Sequence, residues 1–469
     1  MTSDKSGRPL LVIIMAIALL VVLSLLPWSR WTGGMLKDFS LISDLMPEVA
    51  DSVPLIAADN VDPMLQAEIE MLNVDDSAHV ENDSTVCDTI SVCPADNASD
   101  GYYNPRVDGN LPIEDFTVSR GGLAHLRAAL GSRQSRTVRI AVVGDSYIEG
   151  DIFTLDLRDA LQTEFGGRGV GFMAAHSDIP GFRRSVSQSS SGWEEHDVRK
   201  PSHFRHKTLS GCYFTGNEGS VVNYRGVKSN PRQAAWSSSR LLFMAPVSGA
   251  ITVTTDGGTQ RCDVAGAADS VQQILITGET ARFKVENQVP GLVFLGAWLD
   301  DGQGVSVDCM SVRGVSGITH RSTDAALARE MARFVDYDLI IVEYGINALT
   351  ASQTDYSAYG GLMVKSLRRL RECYPDADIL MMGVGDRGQK VGGEVHSMPT
   401  VNAMVRAQRR AAMDAGVLFW DTREAMGGQD AIVDWRERRL VNADYIHLNS
   451  AGGKVLAQEL VKSIKMALQ

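Results

Sequence analysis

The stretch "AVVGDSYIEGD", residues 141–151, sets an Asp and a Ser directly behind an apolar run. A Ser hydroxyl attacks a carbonyl only when a base takes its proton, a third group orients that base, and donors meet the oxyanion. "NADYIHLNSAGG", residues 442–453, supplies Asp444 and His447 with two residues between them. In such a turn the carboxylate can hold the imidazole through Nδ1 and leave Nε2 free for the Ser proton. "VRGVSGITH" carries Gly314 and Gly317, and "VEYGINAL" carries Gly345 and Asn347. A Gly lets its amide approach a ligand closely, and an Asn amide is a neutral donor. Each stretch also has a purely structural reading, with Asp145 or Ser146 capping one helix and Asn449 or Ser450 capping another.

These residues need a frame that brings chain ends together, and the hydropathy pattern supplies one. Val138 to Val143 reads as a strand after a helix over Leu123 to Leu130, and Phe153, Leu157, Ala160, Leu161 and Phe165 mark a helical face ended by Gly166-Gly167. The strand "YDLIIVEY", a helix ending "RRLREC", the strand "ADILMMGVG", the helix "VNAMVRAQRRAAMDAG", the strand "VLFWD" and the terminal helix "AGGKVLAQELVKSIKMAL" follow in turn. Near-continuous apolar strands separated by helices predict a parallel sheet covered on both faces. Ligands bind such sheets beyond the carboxyl ends of the strands, where Ser146 falls.

Between about 185 and 300 helical periodicity vanishes. "SRLLFMAP", "GAITVTTD", "QQILITG", "ARFKVEN" and "GLVFLGAWL" arrive at short spacing between turn residues, which predicts an inserted antiparallel β-sandwich. As a binding module it should be separable from the α/β domain. His196, His203 and His206 lie in this segment within "EEHDVRKPSHFRH" and read as a solvated cluster in a polar loop rather than as metal ligands. Cys87 and Cys93 lie close enough together for a disulfide and Cys212 with Cys262 is a candidate second pair, the pairing being left open by the sequence.

The chain has 469 residues, 44% hydrophobic, enough for two folded units and appendages. Its net charge of -12 comes from residues 40–115, where seventeen Asp and Glu face Arg106 alone. The remainder is near neutral, and nothing in it argues for nucleic acid. Residues 37–118 therefore read as an acidic, mostly disordered tether. Lys5 and Arg8 precede an apolar run from Leu10 to Leu26, closed by Pro27 and Trp28. As a helix this is about 30 Å long, enough to cross a bilayer. No A-x-A-like cleavage site follows Leu26, so residues 1–36 read as an uncleaved anchor in preference to a signal peptide. The expectation is a single-pass protein of the cell inner membrane, with its catalytic domain in the periplasm or otherwise outside the cytoplasm.

Gly144-Asp145-Ser146, Gly314-Val-Ser-Gly317, Gly345-Ile-Asn347 and Asp444-x-x-His447, in this order over about 137–185 and 305–469, resemble the four blocks of the SGNH (GDSL) hydrolase superfamily. The resemblance implies a flavodoxin-like three-layer α/β domain over 119–184 and 301–469, interrupted by the sandwich at 185–300. It implies Ser146 as nucleophile, His447 as general base, Asp444 as the orienting carboxylate, and an oxyanion hole from the Ser146 amide, the Gly317 amide and the Asn347 side chain. The long insert, "FWDTREAMGG" and Trp435 resemble the cell-envelope branch that includes peptidoglycan O-acetylesterases, whose insert resembles a carbohydrate-binding sandwich. Tyr147 and Ala348 depart from the pattern at positions expected to line the site. The expected reaction is release of an acyl group, foremost acetyl, from an acetylated envelope polysaccharide through an ester on Ser146, with no metal or cofactor. Two alternatives stay open: an O-acetyltransferase using the same triad and fed by a membrane acyltransferase, and a non-catalytic glycan-binding protein.

Overall fold

A run of small and β-branched apolar residues is buried on both sides only in the middle of a covered sheet, and Val138 to Gly144 are buried without exception. A computed structural model describes residues 106–469. The chain enters as β1 (Glu114–Asp115), α1 (Ala124–Gly131), β2 (Thr137–Gly144) and α2 (Thr154–Phe165). Nine strands follow: β3 (Gly169–Met173), β4 (Val186–Asp197), β5 (Cys212–Gly226), β6 (Trp236–Ala245), β7 (Gly249–Thr255), β8 (Gly258–Val264), β9 (Ala267–Thr280), β10 (Arg282–Asn287) and β11 (Leu292–Asp300). The alternation then resumes with β12 (Gly304–Ser311), α3 (Ala325–Ala332), β13 (Leu339–Glu343), α4 (Ser357–Cys373) and β14 (Asp378–Met382). A hairpin, β15 (Gly388–Val391) and β16 (Glu394–Ser397), leads to α5 (Val401–Ala415) and β17 (Leu418–Trp420), and the chain closes with α6 (Thr422–Met426), α7 (Ala431–Glu437) and α8 (Ser450–Leu468).

The central sheet has the order β1-β17-β14-β13-β2-β12. From β17 to β12 every pairing is parallel. Counted along the chain these five strands lie in the order 2-1-3-4-5, the flavodoxin-like winding. Val138, Ile140 and Val142 face a core shared with Leu126, Leu157 and Leu460 of α1, α2 and α8. Ala141 and Val143 face the opposite core, with Leu327, Leu367 and Met404 of α3, α4 and α5. Alternate side chains of one strand thus build the three layers.

The inserted strands form one hydrogen-bonded sheet, antiparallel throughout, in which β5 and β11 each switch partners along their length. Strands that change partners carry a sheet around a corner, so the two layers expected of a sandwich are continuous here.

Several expectations need correction. The inserted sheet begins earlier than residue 185, because β3 pairs with β11. The insert is also not a separable module: Phe172, Leu242, Met244 and Trp298 share a core with Val143 and Val342. The tether cannot extend to residue 118, since Leu111 is buried and β1 pairs antiparallel with β17. Cys212 and Cys262 are free thiols. They sit on β5 and β8, with β10 and β7 between them. At about 4.8 Å per strand that separation exceeds any disulfide's reach. His196 is not in a solvated loop but on β4, its ring stacked on Tyr213 at 4.8 Å, and His206 meets the same ring edge-on. Cys87, Cys93 and the apolar run at 10–26 lie outside the described residues. Among the described residues no helix is long and apolar enough to cross a membrane.

Candidate active site

Parallel strands deliver their following loops to one edge of the sheet, and four such loops meet here. Ser146 lies in the turn between β2 and a short 3-10 turn at Glu149–Asp151. Gly317 opens the 3-10 turn after β12, and Asn347 lies in the one after β13. Asp444 and His447 come from the loop that precedes α8.

Ser146 Oγ lies 3.1 Å from His447 Nε2, across 301 residues of chain. His447 Nδ1 lies 2.7 Å from Asp444 Oδ2. The loop is stiffened from within: the Asn442 amide donates to the His447 carbonyl, and Asp444 Oδ1 accepts from the amides of Ile446 and His447. Burial pushes the Asp444 carboxyl up, but the His447 hydrogen bond and these amides outweigh it and hold it below the ordinary range. An ionised carboxylate only accepts, so Nδ1 carries the hydrogen and Nε2 is left to accept from Ser146. The structural alternative for Ser146 fails on the same geometry, because its hydroxyl faces the imidazole. Asp145 takes the local amide instead, its Oδ1 accepting from Tyr147 at 2.9 Å. Asn449, not Ser450, caps α8.

Asn347 is brought to the turn of Ser146, but its amide is already engaged. Nδ2 donates to Asp145 Oδ2 at 2.8 Å and to the Val315 carbonyl at 3.0 Å. Gly317 has a φ of 87° and could carry no side chain, since a Cβ would lie 2.4 Å from the Tyr344 ring. Tyr147 and Ala348 do not line the site. Both are buried, and the Tyr147 hydroxyl points to Met426 Sδ at 3.6 Å.

Three buried charged residues around the site escaped the sequence reading. Glu343 ends β13 behind Asp145, and its Oε2 has no hydrogen-bond partner. Burial raises both carboxyls, Glu149 adds to the effect at Asp145 and the Asp145 charge adds to it at Glu343, so the pair keeps a proton beyond the ordinary carboxylate range. Asp151 ends the turn of Ser146 and accepts from Arg158, Arg183, Thr154 and Ser185. Burial would raise it, but the two guanidiniums hold it far below the usual range. Arg387 follows β14 and reaches the loop that carries Asn347. The available signal was position: a charge ending an apolar strand, as in "LIIVEY" and "MMGVGDR", at the edge where ligands bind. A cleft of about 350 Å³ opens beside this edge, between Glu149–Asp151 and Gln188, Glu195 and Phe214 of the inserted sheet.

Residues 280–455 match the model of the GDSL-like lipase/acylhydrolase family. That range holds Gly317, Asn347, Asp444 and His447, and the fold adds Ser146 to them. No curated protein matches the chain. Among solved structures, a peptidoglycan O-acetylesterase superposes with a TM-score of 0.61 at 20% identity, over 76% of this chain and 99% of its own. A family two carbohydrate esterase from Cellvibrio japonicus gives a TM-score of 0.26 at 12% identity, over 61% and 98%. One from Clostridium thermocellum, in complex with cellohexaose, gives 0.26 at 13%, over 60% and 99%.

Proposed function

We propose that this chain, a serine ester hydrolase with a GDSL-like domain, removes O-acetyl groups from a cell-envelope glycan such as peptidoglycan. The observation that carries the reading is the unbroken relay from Ser146 Oγ through His447 to Asp444. In this mechanism His447 Nε2 takes the Ser146 proton as Oγ attacks the ester carbonyl, and Asp444 stabilises the imidazolium without accepting its proton. The amides of Ser146 and Gly317 and the side chain of Asn347 receive the oxyanion, with Asn347 turning one hydrogen away from the Val315 carbonyl. His447 returns the proton to the sugar oxygen, which leaves. Water, deprotonated by the same imidazole, then releases acetate from Ser146. The acetylated glycan is assigned by analogy with the superposed O-acetylesterase.

On this proposal the catalytic domain works outside the cytoplasm, held to the membrane by residues 10–26, and the native protein should require detergent for extraction. The test of function is acetate release from O-acetylated peptidoglycan, compared with the same material after mild alkaline de-acetylation. Release that needs Ser146 and is undiminished by an added acceptor glycan supports an esterase. Acetyl transfer to the acceptor in place of release would overturn it.

A further inference from the structure

The described buried arginines answer their charge with a carboxylate, with one exception. Arg139 pairs with Asp300, Arg158 with Asp151 and Arg423 with Asp386. Arg387 is 7% exposed and no carboxylate hydrogen-bonds to it. Its Nη1 donates to two backbone carbonyls, Ile346 at 3.2 Å and Leu349 at 3.3 Å, which bracket Asn347. Its Nε has no partner at all. Burial makes its charge costly, and among the groups that offset this cost is the Asp444 carboxylate, acting through space. A buried cation left without an ion pair is expensive, and such expense persists where the charge has work to do.

The residues on either side tie Arg387 to the rest of the site. Asp386 is anchored below it, accepting from Ser397 Oγ, the Ile432 amide and Arg423. The Arg387 carbonyl accepts from Met398 at the base of the β15–β16 hairpin. Gly388 donates its amide to the Tyr445 carbonyl at 2.8 Å, inside the loop of Asp444 and His447. Only glycine permits that approach, because a Cβ would lie 2.7 Å from Tyr445 Cβ. Residues 386–388 therefore touch both the loop of the oxyanion donor and the loop of the base.

We propose that Arg387 is a positioning residue, its guanidinium clamping the turn of Asn347 against the loop of Asp444 and His447 while its positive charge bears on that pair. This rests on the esterase reading above. Besides Arg387, the titratable group that faces the Asp444–His447 pair is Asp145, from the turn of Ser146. Arg387 supplies the opposing positive charge. It favours the ionised form of Asp444, the carboxylate that holds the imidazole.

Three variants separate the clamp from the charge, assayed on a small acetyl ester with a thermal melt for each. Arg387→Lys keeps a charge and donors for both carbonyls. Arg387→Gln keeps an NH₂ donor without charge, and Arg387→Met keeps neither. Arg387→Met is expected to lower kcat on the order of 10² with KM little changed, as a misplaced donor does. It should also move the acidic limb of the kcat/KM profile upward by about one pH unit, because the Asp444 carboxylate loses the cation that favours its ionised form. Arg387→Gln should move the limb equally while recovering most of kcat, and Arg387→Lys should recover kcat with the limb in place. If Arg387→Met does not fold, the Gln and Lys pair decides the matter through the limb alone. A folded Arg387→Met with unchanged kcat overturns the proposal, as does an acidic limb that stays fixed in both uncharged variants. Failure of the esterase reading is distinguishable, since it would appear in the parent as transfer to an acceptor or as no ester turnover, or as full turnover in Ser146→Ala.

Discussion

Two carboxylates six residues apart in one turn, Asp145 and Asp151, are both buried, yet their protons behave in opposite ways. Asp145 accepts from neutral donors, the Tyr147 amide and Asn347 Nδ2, and lies against a second buried carboxyl, Glu343, and burial raises it. Asp151 meets Arg158 and Arg183 and is held ionised to far lower pH. The first lies beneath the nucleophile and costs stability. The second ties the turn of Ser146 to α2 and to residues 183–185, which lead into β4, and repays its burial with ion pairs. Strain is thus kept at the catalytic edge, and the junction with the insert is where it is offset.

The comparison can be broken or sharpened experimentally. The largest effect belongs to the catalytic edge. Asp444→Asn should lower kcat on the order of 10⁴ while the melting temperature stays near that of the parent, because the imidazole loses its orienting partner and its counter-charge. A loss below tenfold in the ester assay would remove Asp444 from the relay.

At the junction, Asp151→Asn should destabilise the protein by about 3–5 kcal/mol in urea unfolding, because Arg158 is left fully buried without its counter-ion. An insert joined loosely to the central sheet would predict a cost under about 1 kcal/mol. That outcome would contradict the shared core of Trp298 and Val143.

The smallest effect is the most diagnostic of the contrast. Glu343 is raised in the folded state, so its contribution to stability is present at pH below its unfolded value and is lost as pH rises toward the folded one. Glu343→Gln fixes the neutral form, so its melting temperature should match the parent near pH 4 and exceed it at pH 8. The gap widens by at most about 1.4 kcal/mol per pH unit. A gap independent of pH would mean that Glu343 is ionised in the folded protein.

The candidate site was legible because the residues that compose it are local in the chain. Asp444 and His447 are three residues apart, and Ser146 directly follows a strand whose apolar run is unmistakable. The parallel order was legible from the alternation of buried runs and amphipathic helices. Pairings between distant segments left no such mark. "GVGFM" at 169–173 reads as a short run at the end of an α/β unit, and only its antiparallel match to β11, more than a hundred residues on, assigns it to the inserted sheet. Asp151 was visible as one acid in an acidic turn, whereas its meaning depends on burial beside Arg158, seven residues on, and on Arg183, 32 residues on and beyond any local period. Arg387 was obscured because a charged residue after an apolar strand is ordinary at a loop. Its burial and its unpaired state exist only once the loops of Asn347 and Asp444 close around it.

The central claim is that Ser146 becomes covalently acylated, and a serine-directed phosphonate ester tests it most directly. Incubated with the full chain and followed by peptide mass mapping, it should form one adduct, on the peptide that carries Ser146. Ester turnover should fall in proportion to labelling, and His447→Ala should label far more slowly. Full turnover with Ser146 completely modified, or inactivation with the adduct on another residue, would contradict the account.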